Sequence, residues 1–234
     1  MAAIWPAALV HGFTALGAVC GLLAVRAIST GAWEEVFAWL GLALIIDGID
    51  GTFARLANVT RRLPRFSGER IDLVVDYVTY VFVPVLALLA AGYLPGAWGL
   101  GLSALILLSS LYHFADMRSK GGDNCFVGFP AIWNIVAFYI FALRPPAVFS
   151  GLIVLVCVGL TFVPLHYVHP LRTRRLLPLT RSVMALWSIS AALILLRGFP
   201  AGPAELFILC LAAAYGSGLG FLLNRTQKAG DPAP

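Results

Sequence analysis

Long apolar runs, broken by short polar or glycine- and proline-rich segments, divide the chain from end to end. They cover residues 7–28, 36–56, 71–92, 98–115, 129–143, 148–168, 182–196 and 204–223. A helix needs about 20 apolar residues to cross the hydrocarbon of a bilayer, and fewer where its ends are buried in protein. The breaks Gly92-Tyr-Leu-Pro-Gly96, Pro145-Pro146 and Gly198-Phe-Pro-Ala-Gly-Pro203 are turn chemistry. The pattern predicts an all-α fold, a polytopic membrane helical bundle of about eight transmembrane helices.

Composition agrees. The chain is 60% hydrophobic and 12% charged, with a mean hydropathy of +0.90, which excludes an ordinary water-soluble domain. No linker is long enough to fold as a separate soluble unit. The expected organisation is one membrane-embedded domain over residues 1–234, with a short polar tail from about residue 224. The first residues lack the basic segment of a signal peptide, so the run from Ala7 reads as a retained span. Cys20, Cys125, Cys157 and Cys210 are scattered without metal-site spacing and read as small packing residues.

Charge sets the topology. With an even number of spans, both termini and the loops after spans two, four and six share one side. That side carries Arg55, Arg61, Arg62, Arg65, Arg70, Arg118, Lys120, Arg172, Arg174, Arg175, Arg181, Arg225 and Lys228, whereas the other keeps Arg26, Arg144 and Arg197. The positive-inside bias puts both termini in the cytoplasm. The net charge of +5 therefore reports membrane orientation, and no nucleic-acid partner is expected.

Against this apolar background stand two acidic clusters, Asp47-Gly-Ile-Asp50-Gly-Thr-Phe-Ala-Arg55 and Gly68-Glu-Arg-Ile-Asp72-Leu-Val-Val-Asp76. Spacings of three and four put each pair of carboxylates on one helix face, and antiparallel packing of spans two and three brings the faces together. An Asp at a helix centre costs roughly 2.5 to 3.5 kcal/mol on insertion scales, so something cationic must neutralise them. Divalent cations that prefer oxygen ligands fit, and the absence of His or Cys from the clusters disfavours zinc. Gly48, Gly51 and Gly68 open space beside the acids, and Arg55, about one turn nearer the cytoplasm, can grip a phosphate. Together these parts suit displacement at phosphorus. Two other readings of the residues remain open: an intramembrane cation pathway, and acid–arginine pairs that only hold helices together.

The order Asp47-x2-Asp50-Gly51-x2-Ala54-Arg55, then Gly68-x3-Asp72-x3-Asp76, resembles the signature of the CDP-alcohol phosphotransferases. The twelve residues 56–67 between Arg55 and Gly68 form a longer gap than is common in that family. This gap, the number of spans, and the stretches Arg65-Phe-Ser-Gly-Glu-Arg-Ile-Asp72, His113-Phe-Ala-Asp-Met-Arg118 and Asp123-Asn-Cys-Phe-Val-Gly-Phe-Pro-Ala-Ile-Trp-Asn134 are similar to its choline-using bacterial members. The resemblance implies a transferase of the bacterial cytoplasmic membrane, its site facing the cytoplasm, that joins CDP-diacylglycerol to choline. It further implies that Asp47, Asp50, Asp72 and Asp76 hold two Mg2+ or Mn2+ ions, and that Asp76 is the general base. Gly51, Ala54, Arg55, Gly68 and Thr14 would border CDP, and the enzyme would be a homodimer. Other acceptors in the family are serine, inositol phosphate and glycerol phosphate.

Choline carries a quaternary ammonium, so a site for it calls for aromatic faces and a carboxylate. The candidates are Tyr77, Tyr80, Tyr112, His113, Asp116 and Trp133; each aromatic alone also fits an interfacial or packing role. Arg118 and Lys120 are candidates for contacting membrane lipid or phosphate. His166-x2-His169 has helical spacing but no third ligand, so it makes a poor metal site. Gly216-Ser-Gly-Leu-Gly220 has no strand beside it and reads, like Gly17-x3-Gly21, as close helix packing.

Overall fold

Helix α1 (Trp5–Ser29) turns into α2 (Trp33–Leu56) through three residues, where Gly31 takes the left-handed conformation with φ +68° and donates its N–H to Ile28. A side chain is strained there, which is why glycine ends the helix. This and the rest of the description come from a computed structural model that describes residues 5–116, 125–163, 166–168 and 177–230. Two compact units emerge, residues 1–92 with 132–138, and residues 93–131 with 139–234.

In the first unit, α2 ends where Asn58 adopts φ +48°, and the single turn α3 (Val59–Arg62) follows. Arg61, Arg65 and Arg70 are exposed around this connection. Ser67 caps α4 (Gly68–Asp76), its hydroxyl accepting the Arg70 N–H at 3.3 Å. The third span then runs on without a break through a π-helical stretch, Tyr77–Phe82, into α5 (Val83–Ala90). Helix α1 packs on both of its partners. A Cβ at Gly17 would lie 2.5 Å from Val75 Cγ1 and one at Gly21 would lie 3.0 Å from Val78 Cγ1, so the small-residue groove lets α1 approach the third span closely. Cys20 packs with Ala43 and Ile46 between α1 and α2, as a small core residue.

The second unit holds α6 (Gly96–Ala115), α8 (Ala147–Thr161), α9 (Leu177–Arg197), α10 (Pro203–Gly230) and the C-terminal part of α7 (Trp133–Leu143), from Tyr139 on. Its tie is Tyr139, whose hydroxyl donates to the Leu209 carbonyl at 2.8 Å and accepts the Trp187 indole N–H at 3.1 Å, joining α7, α9 and α10. Thr180 and Tyr215 share a 2.6 Å hydrogen bond between α9 and α10. Arg197 pairs with the buried Glu205 across the turn joining these helices.

The chain is a multi-pass helical bundle. Five helices are long and apolar enough to span a bilayer, and Trp133–Leu143, Ala147–Thr161 and Pro203–Gly218 are shorter apolar helices. Two span limits change. The expected helix 129–143 is shorter because residues 128–132 form a non-helical connection after β1 (Cys125–Val127), and the helix 148–168 because its outer end carries β2 (His166–Val168), which pairs antiparallel with β1, Phe126 opposite Tyr167. His166 is thus in a strand, which removes its helical spacing to His169; His169 lies outside the described residues. Gly216 and Gly218 have no neighbour within 4 Å of an added Cβ among the described residues, so the close packing expected there is not made.

Candidate metal and phosphotransfer centre

The first unit contains all four signature aspartates. Asp47 and Asp50 face α4 from α2, and oxygen atoms of Asp47, Asp50 and Asp72 all lie within 4.8 Å of one another. Spans two and three thus bring their acidic faces together, as the spacing predicts. At such separations two bare carboxylates repel by about 3 to 4 kcal/mol at an effective dielectric of about 20. Three together are arranged for a cation. The donor set is all oxygen and all anionic, the chemistry of hard divalent ions.

Neutral hydroxyls hold two of these acids in place. The Thr14 hydroxyl donates to Asp50 Oδ2 at 2.6 Å, and Asp50 is 7% exposed. From the third span, the Tyr80 hydroxyl donates to Asp47 Oδ2 at 2.6 Å, and Tyr80 is 8% exposed. The π-helical stretch explains how Tyr80 reaches Asp47. In a regular α-helix, residues eight apart drift by about 80° around the axis. The wider π turn advances less per residue and cancels part of that drift, keeping Tyr80 on the ridge of Asp72 and Asp76. The carboxylates of Asp72 and Asp76 both lie within electrostatic reach of the Tyr80 hydroxyl. Asp76 is one turn beyond Asp72 and outside the group of three.

Arg55 folds back along α2. Its Nη2 donates to Thr52 Oγ1 at 3.0 Å, and its Nη1 lies 3.6 Å from where a Gly51 Cβ would be. A side chain at Gly51 would meet the guanidinium at ordinary contact distance. Ala54 is half-buried one residue before it. Asp47 and Asp50 are thus held by hydroxyls while Arg55 rests on Thr52, an arrangement that differs from plain acid–arginine stapling.

Gly68 opens a notch that holds a residue the sequence reading passed over. A Cβ there would meet His11 Cε1 at 3.0 Å and Nδ1 at 3.4 Å, and His11 Nε2 is buried without a hydrogen-bond partner among the described residues. The signal was its place on the stripe Ala7, His11, Thr14, which faces the acids.

The remaining candidates divide between the units. Tyr77 and Tyr80 accompany the aspartates, and Trp133, 1% exposed, belongs to the same unit. Tyr112, His113 and Asp116 come together in the second, where with Gly128, Thr161 and Phe162 they line a cavity of about 480 Å3. Arg118 and Lys120 lie outside the described residues.

A bundle of membrane helices with a carboxylate cluster under the CDP-alcohol phosphotransferase signature defines a class of membrane transferases. No protein-family model matches the chain. Among characterised proteins it is similar to phosphatidylcholine synthase from Bradyrhizobium diazoefficiens, at 46% identity over 88% of this chain and 77% of the relative. It is likewise similar to those of Rhizobium meliloti, at 37% over 94% and 92%, and Pseudomonas aeruginosa, at 41% over 86% and 82%. The chain belongs to the phosphatidylcholine synthase family.

Proposed function

We propose that this enzyme transfers the phosphatidyl group of CDP-diacylglycerol to choline, giving phosphatidylcholine and CMP. The observation that carries the chemistry is the convergence of Asp47, Asp50 and Asp72 from two helices. The choice of choline rests on the relatives. Asp47, Asp50 and Asp72, with Asp76, would hold one or two Mg2+ or Mn2+ ions, which when bound neutralise charge on the diphosphate and its leaving group.

The chain's own groups supply the remainder. Asp76 takes the proton of the choline hydroxyl, whose oxygen then bonds to the phosphorus that carries diacylglycerol. The bond from that phosphorus to the CMP oxygen breaks, and CMP leaves with the electron pair. Arg55, free to swing from Thr52, binds a phosphate oxygen, and Gly51, Ala54 and Gly68 border the nucleotide. Thr14 and Tyr80 keep Asp50 and Asp47 oriented, and choline contacts are sought at Tyr77 and Trp133, which belong to the aspartates' own unit. The site opens to the cytoplasm of a bacterial cell, beneath the exposed arginines that follow α2.

Membranes containing the enzyme, given CDP-diacylglycerol, Mn2+ and one alcohol at a time, should release CMP with choline and stop when EDTA is added. Release with serine, inositol phosphate or glycerol phosphate but not choline would overturn the acceptor. Cation movement into proteoliposomes without consumption of CDP-diacylglycerol would overturn the chemistry.

A further inference from the structure

We infer that His11 is a nucleotide-binding residue, its Nε2 hydrogen-bonding the nucleoside diphosphate portion of the lipid donor. The inference rests on the function proposed above and adds a residue to it. His11 lies three residues before Thr14 on the same face of α1, so the two are about 4.5 Å apart along the axis. Thr14 binds Asp50. Gly68 likewise precedes Asp72 by one turn on α4, and Arg55 follows Asp50 by little more than one turn on α2. His11, Gly68 and Arg55 therefore form a layer one turn above the carboxylates, on the side of the arginine-bearing connection. A diphosphate gripped at the carboxylate layer extends its nucleoside into this layer.

Two observations make His11 part of the site rather than packing. Its ring fills the notch left by the absent side chain of Gly68, with Cε1 and Nδ1 toward that glycine. The contact fixes the imidazole against the signature. Its Nε2 is buried and has no hydrogen-bond partner among the described residues. An orphaned polar atom in a membrane-embedded core is unfavourable unless something completes its hydrogen bond, and here the bound nucleotide does so. His11 is neither a metal ligand nor a base in this reading.

Substitution with glutamine and with asparagine separates the roles of the two ring nitrogens, since a Gln amide reaches the place of Nε2 and an Asn amide that of Nδ1. KM for CDP-diacylglycerol, KM for choline and inhibition by CMP should be measured for His11→Ala, His11→Gln and His11→Asn, with thermal stability alongside. Ala and Asn should raise the CDP-diacylglycerol KM and the CMP inhibition constant about tenfold, the loss of roughly one hydrogen bond, with choline KM within twofold. Gln should recover most of the difference. Lowered thermal stability with unmoved KM values would overturn the inference, as would a change in choline KM alone or Asn recovering more than Gln. If the Ala variant does not accumulate, the Gln and Asn pair decides. A parent enzyme that does not consume CDP-diacylglycerol defeats the proposed function itself; a parent that does, with unaltered variants, defeats only the role of His11.

Discussion

Tyr80 donates its hydroxyl to Asp47 across 2.6 Å, a contact between spans two and three at the deep end of the carboxylate cluster. Removing the hydroxyl while keeping the ring isolates that contact. Tyr80→Phe should lower the rate of CMP release roughly 10- to 100-fold, the range expected for losing a hydrogen bond to a charged group. The Mn2+ concentration for half-activation should rise with it. Choline KM should hold steady; a rise there with unchanged Mn2+ dependence would mean that Tyr80 acts as an aromatic face for the acceptor.

Thr14 offers a matched pair of substitutions. Thr14→Val keeps the volume but leaves buried Asp50 without its donor, whereas Thr14→Ser keeps the hydroxyl. Activity should fall about tenfold in the first and stay within about threefold in the second. Initial rates at saturating substrates check this, and equal loss in both variants would assign Thr14 to packing alone.

Asp76 and the group of three separate by their dependence on metal. Asp76→Asn should abolish turnover, yet Mn2+ should still raise the thermal unfolding temperature of the purified protein through Asp47, Asp50 and Asp72. Asp50→Asn should lose both. Thermal shifts with and without Mn2+ distinguish the outcomes.

Gly17 tests how tightly the helices must approach. A methyl at Gly17 collides with Val75, which sits between Asp72 and Asp76, so Gly17→Ala should destabilise by about 1 to 3 kcal/mol and depress activity beyond the loss of folded protein. Adding Val75→Ala should relieve part of both. A double-mutant cycle with a coupling below about 0.5 kcal/mol would show that the contact is slack.

Much of this centre could be read from the chain because its chemistry conflicts with its surroundings. Four aspartates inside apolar runs are conspicuous, and their spacings of three and four state which faces must meet. The glycine and proline breaks likewise marked where helices stop. The span limit at 168 was misread because a short apolar strand and the end of an apolar helix have the same composition, and the limit at 129 because the apolar connection 129–132 reads like the start of the helix it precedes. Tyr80 was legible only as an aromatic residue, since residue types do not announce a π turn, and α periodicity places it beside Asp76 but about 80° from Asp72. A lone His11 in an apolar helix had no motif around it; only its nearness to Gly68, 57 positions later, gives it meaning.

The broad turn at Tyr77–Phe82 leaves the third span with more chain than a plain α-helical ladder would use over the same rise. Were the same residues wound as a plain α-helix, the aspartates upstream would stay where they are, but everything downstream would turn further around the axis and the phenol would swing away from its acid. Insertions in membrane helices are usually thought to be disruptive; here surplus backbone is what ties the floor of the pocket together.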